Sequence, residues 1–151
     1  MIQNEKPYVL FVDDNEATCT LVTALLHRDF EVETVTGASE AIENLKTRKY
    51  AAILLDLKMP HIDGFGVLDF LKQHSPETLK RVLIVTASVR STDLERAQAY
   101  GVHGVVTKPF EVETLLATVK RCARIGESGK LHAFGPVIFL LADLLRQRWP
   151  M

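Results

Sequence analysis

Five side chains placed at the ends of apolar runs carry the chemistry this sequence could do. "YVLFVDDNEA" (8–17) runs five apolar residues straight into Asp13 and Asp14. "AAILLD" (51–56) ends on Asp56, "RVLIVTA" (81–87) on Thr86 and Ala87, and "GVVTKPF" (104–110) brings Lys108. A single Asp after a strand commonly caps the next helix, and one of Asp13 and Asp14 is expected to do so. A cap does not account for two. Three carboxylates gathered at one edge would raise each other's pKa or recruit a cation. An oxygen-rich group with open positions suits Mg²⁺ better than a transition metal. An ammonium, a hydroxyl and Mg²⁺ converging on a carboxylate would in turn make a nest for a phosphoryl group. Phosphoryl transfer asks mainly for positioning and charge neutralisation. An Asp can act as its nucleophile and give an acyl phosphate. Asp56, closing a buried strand opposite the acidic pair, is the candidate.

Those residues meet only if the runs around them form one sheet. Residues 8–12 and 51–56 are continuous apolar runs, as strands covered on both faces require. "FEVETV" (30–35), 81–87 and 104–110 supply the other strands. Between them, helical spacing covers 15–28, "GASEAIENLKTRKY" with Ser39 as its expected cap, 64–74, "STDLERAQAYG" closed by Gly101, and 111–124. Five alternating strand–helix units imply a parallel sheet with helices on both faces. In such sheets, ligands gather at the carboxyl ends of the strands, where strand order reverses. All five candidates sit there. Thr36-Gly37, after the second strand, brings nothing to the site.

Composition narrows the alternatives. Formal net charge is −1 and 47% of residues are apolar. There is thus enough apolar material for a core and no bulk charge to draw nucleic acid or a membrane surface. Cys19 and Cys122 match no ligand spacing and are expected as free thiols in a reducing compartment. His27, His61, His74, His103 and His132 show no paired metal spacing, and surface or half-buried roles are expected for them. "MIQNEKPYVL" lacks a basic start followed by an apolar signal core, which implies a cytoplasmic protein.

The sequence resembles the receiver domain of two-component response regulators. The resemblance rests on "FVDDNE" (11–16), "LLDLKMPHIDGFGVL" (54–68), "IVTAS" (84–88) and "TKPF" (107–110). Its most specific part runs from Asp56 through Met59-Pro60 to Asp63-Gly64. It covers residues 7 to 124. It implies a flavodoxin-like, doubly wound α/β fold with a five-stranded parallel sheet in the order 2-1-3-4-5. It also implies that Asp56 is the phosphoacceptor and that Asp13, Asp14, Asp56 and the backbone carbonyl of Lys58 hold Mg²⁺. Thr86 would hydrogen-bond the phosphoryl oxygens, Lys108 would pair with them, and the Lys108–Pro109 bond would be cis. Gly64 is expected in a turn where positive φ is cheap for glycine. The implied partner is a histidine kinase or phosphotransfer protein. A homodimer through the last two helices and a C-terminal helix is a further expectation; nucleic acid and membrane are not. The implied activity is self-phosphorylation and dephosphorylation on Asp56, not turnover of an external substrate.

One departure from the family pattern stands out. Val105 occupies the position, three before Lys108, where the family usually carries an aromatic residue. The resemblance also implies that Lys58 and Ser88, two residues after Asp56 and Thr86, flank the path of attacking water, with Lys58 expected either to shield the phosphoryl group or to pair with a nearby carboxylate. Two rival readings are weaker. A haloacid-dehalogenase-type phosphatase wants a second Asp two residues after its nucleophile, and Asp56 is followed by Leu57-Lys58. A receiver-like adaptor that is never phosphorylated would not need the complete set of five. Residues 125–135, with "GESGK", read as a linker, and 136–151 as an apolar helix with Pro136 at its first position or as the start of an output region. About fourteen residues rise roughly 21 Å, short of a bilayer core of about 30 Å. That helix is expected to pack on its own receiver, on a second copy, or on an output region. No DNA-binding domain is expected in the chain.

Overall fold

The computed structural model describes residues 5–88 and 90–128. Among the described residues five strands, β1 (Tyr8–Val12), β2 (Glu31–Val35), β3 (Ala52–Leu55), β4 (Val82–Thr86) and β5 (Gly104–Thr107), alternate with five α-helices. The helices are α1 (Glu16–Leu26), α2 (Ala38–Thr47), α3 (Gly64–His74), α4 (Ser91–Ala99) and α5 (Val112–Ser128). All strand pairs are parallel, and the sheet order is β2-β1-β3-β4-β5, as the resemblance implies. The chain therefore reverses direction across the sheet between β1 and β3.

The apolar runs are continuous because the central strands are covered twice. Alternate residues point to opposite faces of a strand, and both faces are packed. Leu10, Val12, Ile53, Leu55, Val82 and Ile84 join residues of α2, α3 and α4, such as Ala41, Leu68 and Leu94. Val9, Phe11, Leu54, Leu83 and Val85 meet α1 and α5 through Val22, Leu26, Leu115 and Val119. Edge strand β2 is wetter, which is why its sequence alternates. Cys19 and Cys122 are free and buried. Burial pushes the Cys122 thiol up to about 12. Among the described residues no helix is long and apolar enough to cross a membrane.

Several local expectations are corrected. The α1 cap is Asn15, whose side chain accepts from the Thr18 N–H at 3.0 Å; neither Asp13 nor Asp14 caps the helix. Ser39 lies inside α2, which starts one residue earlier on a Gly37 cap without a side-chain bond. A 3-10 turn at Pro76–Arg81, unsuspected from the sequence, links α3 to β4. Helix α5 runs to Ser128 rather than 124, taking in the first residues of the expected linker. Gly101 ends α4 as expected, with φ of 81° and its N–H on the Gln98 carbonyl at 2.9 Å. The proposed tail helix at 136–151 and most of the 125–135 linker lie outside the described residues.

His103, in the turn before β5, is expected to give the fold a pH dependence. Its backbone N–H donates to the Val82 carbonyl (2.8 Å), while its Nε2 is buried without a hydrogen-bond partner among the described residues. Burial, and then the nearby Arg121 charge, hold its imidazole below the usual histidine range. The folded state thus binds this proton less readily than the unfolded chain. The stability from neutral His103 is complete above its unfolded pKa of about 6.5 and is lost as pH falls below that value through the lower folded one. Thermal unfolding from pH 7.5 to 5 should therefore show a steeper loss of Tm in wild type than in His103→Gln. Equal slopes would remove His103 from the account.

Candidate functional site

The parallel register carries the strand-end residues to one place. Val12 pairs with Leu55, so Asp13 and Asp56 are the next residues on neighbouring strands. The ladder continues one step through the Asp56 N–H to the Val12 carbonyl (3.0 Å). The Asp13 N–H donates to Val35 on the other side at 3.1 Å. Thr86 pairs with Thr107, and the Lys108 N–H donates to the Thr86 carbonyl at 2.9 Å. The Lys108–Pro109 bond is cis, as the resemblance implies.

Side chains converge accordingly. Carboxylate oxygens of Asp13, Asp14 and Asp56 all lie within 4.8 Å of one another. Asp13 and Thr86 are fully buried and Asp56 nearly so, while Asp14 is exposed at the mouth. Lys108 Nζ bridges Asp13 Oδ2 (2.5 Å) and Asp56 Oδ2 (3.0 Å). Asp56 Oδ1 accepts from Thr86 Oγ1 and from the Lys58 N–H, each at 3.1 Å. Asp13 Oδ1 accepts from the Asn15 N–H at 2.9 Å. Burial alone would lower the Lys108 pKa, but its hydrogen bonds to Asp13 and Asp56 and their charges outweigh it, and the pKa is raised. Lys108 is therefore charged throughout the neutral range.

One ammonium against three carboxylates leaves a formal charge of minus two. Neutralising it takes a divalent cation, and an all-oxygen donor set suits a hard one. Asp13, Asp14 and Asp56 fit that group by proximity and chemistry. Lys58 stands beside them through its N–H on Asp56.

Gly64 is required here for space and not for a turn. It is the first residue of α3, and its φ is not positive; in this loop the positive φ belongs to His61, at 68°. A Cβ on Gly64 would collide with the Asp56 carbonyl oxygen and come within 2.9 Å of Leu57 Cα. Both are backbone atoms with little freedom to yield. Asp63 caps α3 through its Oδ1, which accepts from the Phe65 N–H at 3.1 Å. Gly64→Ala should cost about 1–3 kcal/mol, as overpacking does, measured by urea unfolding. A change below the error of that measurement would count against the close approach.

Sequence reasoning missed Asp93. Its Oδ2 accepts from Ser88 Oγ at 2.9 Å and lies 3.7 Å from Lys58 Nζ. An Asp in the first turn of a helix reads as a favourable charge at the dipole's positive end, which hid its contacts across the fold. Val105 is buried on the face shared with Leu94 and Ala97 of α4, so a small side chain fills the usual aromatic position.

Known proteins match this architecture. The family model for the response regulator receiver domain matches residues 9–120. The transcriptional regulatory protein SrrA of Staphylococcus aureus is 29% identical over 131 residues, covering 85% of this chain and 52% of SrrA. Transcription factor SKN7 of Chaetomium thermophilum is 29% identical over 125 residues, covering 80% of this chain and 16% of SKN7. The chain thus spans about half the length, or less, of these curated relatives. Among solved structures, the beryllofluoride-activated NtrC4 receiver domain dimer is 30% identical with a TM-score of 0.71, over 78% of this chain and 96% of that one. Since the matched stretch runs from β1 into α5 and takes in every strand end that builds the acidic site, the chain belongs to the response regulator receiver domain family.

Proposed function

We propose that this receiver domain takes a phosphoryl group from a histidine kinase or phosphotransfer protein onto Asp56 in a Mg²⁺-dependent reaction. The observation that carries the reading is Asp56 itself, a buried carboxylate held between Lys108, Thr86 and the Lys58 N–H beside two further carboxylates. A carboxylate oxygen of Asp56 bonds to phosphorus. The phosphorus–nitrogen bond of the donor phosphohistidine breaks, and the imidazole leaves with the electron pair and takes up a proton. Asp13, Asp14, Asp56 and the Lys58 carbonyl would hold Mg²⁺, which when bound neutralises charge on the transferring group. Lys108 supplies a fixed positive charge on the Asp56 side, and Thr86 a hydroxyl donor. Buried strands on both sides keep these groups in place without reorganisation. The similar NtrC4 receiver domain is activated by beryllofluoride as a dimer, which supports a change in self-association as one form of output.

The test is incubation with acetyl phosphate, with and without Mg²⁺. Covalent phosphoryl uptake is expected only with the metal, and equal uptake in excess chelator would refute the Mg²⁺ requirement. Asp14→Ala should weaken Mg²⁺ binding by about tenfold or more, the scale of changes around a metal site. By removing one repelling charge it should also leave the metal-free fold as stable or more so. Calorimetric titration with Mg²⁺ checks the first, and unchanged affinity would exclude Asp14 as a ligand.

A further inference from the structure

A chain of contacts leaves the candidate phosphoacceptor, crosses to α4 and returns. Thr86 Oγ1 donates to Asp56 Oδ1 and accepts from the Ser88 N–H at 3.1 Å. The Ser88 hydroxyl donates to Asp93 Oδ2 (2.9 Å), in the first turn of α4. The same Asp93 oxygen faces Lys58 Nζ at 3.7 Å. The Lys58 N–H closes the circuit on Asp56 Oδ1. The loops after β3 and β4 are thus tied together twice, once at Asp56 and once at Asp93.

The Lys58 side chain is 59% exposed, so packing does not fix its direction. Its backbone already sits on Asp56, and two groups of negative charge compete for its ammonium. One is the acidic site, which keeps a formal charge of minus two beside Lys108. The other is Asp93, whose side chain is only 22% exposed and is oriented by Ser88. In the structure Asp93 holds the ammonium.

We propose that Asp93 is a positioning residue for the chemistry at Asp56: it draws the Lys58 ammonium onto α4 and keeps the approach to the acyl phosphate open to water. The inference rests on the reading of Asp56 as phosphoacceptor. In hydrolysis a water oxygen bonds to phosphorus and the bond from phosphorus to the Asp56 oxygen breaks. Its electron pair returns to the carboxylate, and the water's protons pass to the phosphate and to solvent. Without Asp93, Lys58 turns to the phosphoryl oxygens, covers them and slows this step.

The experiment labels the full chain with acetyl phosphate and Mg²⁺, removes the donor, and follows loss of the phosphoryl group by intact mass. Asp93→Asn should lengthen the half-life about two- to fivefold, the worth of an exposed ion pair. Asp93→Glu should restore most of the wild-type rate. With Lys58→Met already in place, whatever its own rate, adding Asp93→Asn should no longer change the decay. An unchanged half-life in Asp93→Asn, or a lengthening that persists beside Lys58→Met, overturns the role of Asp93. A wild-type chain that takes no label on Asp56 overturns the phosphoacceptor reading and this inference together. A labelled wild type with lifetimes indifferent to Asp93 overturns this inference alone.

Discussion

Asp56→Asn is expected to take up no phosphoryl group under conditions that label the wild-type chain. The substitution is close to isosteric. An Asn oxygen still accepts from the Thr86 hydroxyl and the Lys58 N–H, which meet Asp56 at Oδ1. What changes is the other atom, which faces Lys108 at 3.0 Å. An amide NH₂ there is neither a nucleophile nor an acceptor for the ammonium. The loss should thus be all or none and not graded. Stability should change little or rise, because one of three mutually repelling carboxylates is gone. Urea unfolding of the variant, run beside the labelling, separates lost chemistry from lost fold. Labelling of a folded Asp56→Asn at the wild-type level would remove Asp56 from its assigned role.

Lys108→Met should be the next most damaging change. Lys108 places one ammonium on both Asp13 and Asp56, and its side chain is 20% exposed. Methionine preserves most of the apolar stem and removes the charge. Initial phosphorylation by acetyl phosphate should slow by about ten- to a hundredfold, the kinetic equivalent of one hydrogen bond to a charged group. The metal-free fold should also weaken, because fully buried Asp13 loses its cation. Added Mg²⁺ should restore part of that loss by binding the folded state. Since the Lys108 pKa is raised, its stabilising contribution is complete below the unfolded lysine value of about 10.4 and is lost only as pH rises through the folded one. The difference between wild type and Lys108→Met should accordingly be flat across neutral pH. A difference that disappeared near pH 7 would contradict the charged bridge.

The sequence made the site legible because it lies on the most regular part of the fold. Strands buried on both faces read as unbroken apolar runs, and such runs end abruptly on Asp13, Asp56 and Thr86. In a parallel sheet those ends must share an edge, so one-dimensional spacing reports three-dimensional proximity. Local choices were less legible. Asn15 and not an Asp caps α1, because Asp13 is committed to Lys108 and to the Asn15 N–H. Gly64 stands out in the sequence as a turn glycine, but its need comes from the Asp56 backbone, which passes against it only in the folded chain. Asp93 was invisible, since its partners Lys58 and Ser88 reach it from separate loops. The turn at Pro76–Arg81 has no hydrophobic periodicity to announce it.

The most direct test of the account is site mapping of the phosphoryl group on the full chain. Wild-type protein is treated with acetyl phosphate and Mg²⁺, quenched, and the acyl phosphate is trapped by borohydride reduction before peptide mass analysis. Borohydride converts an aspartyl phosphate to homoserine and so leaves a stable mark at the modified residue. Homoserine is expected at position 56 alone, and none when Mg²⁺ is withheld. A mark at Asp13 or Asp14, or a labelled chain with Asp56 intact, would contradict it.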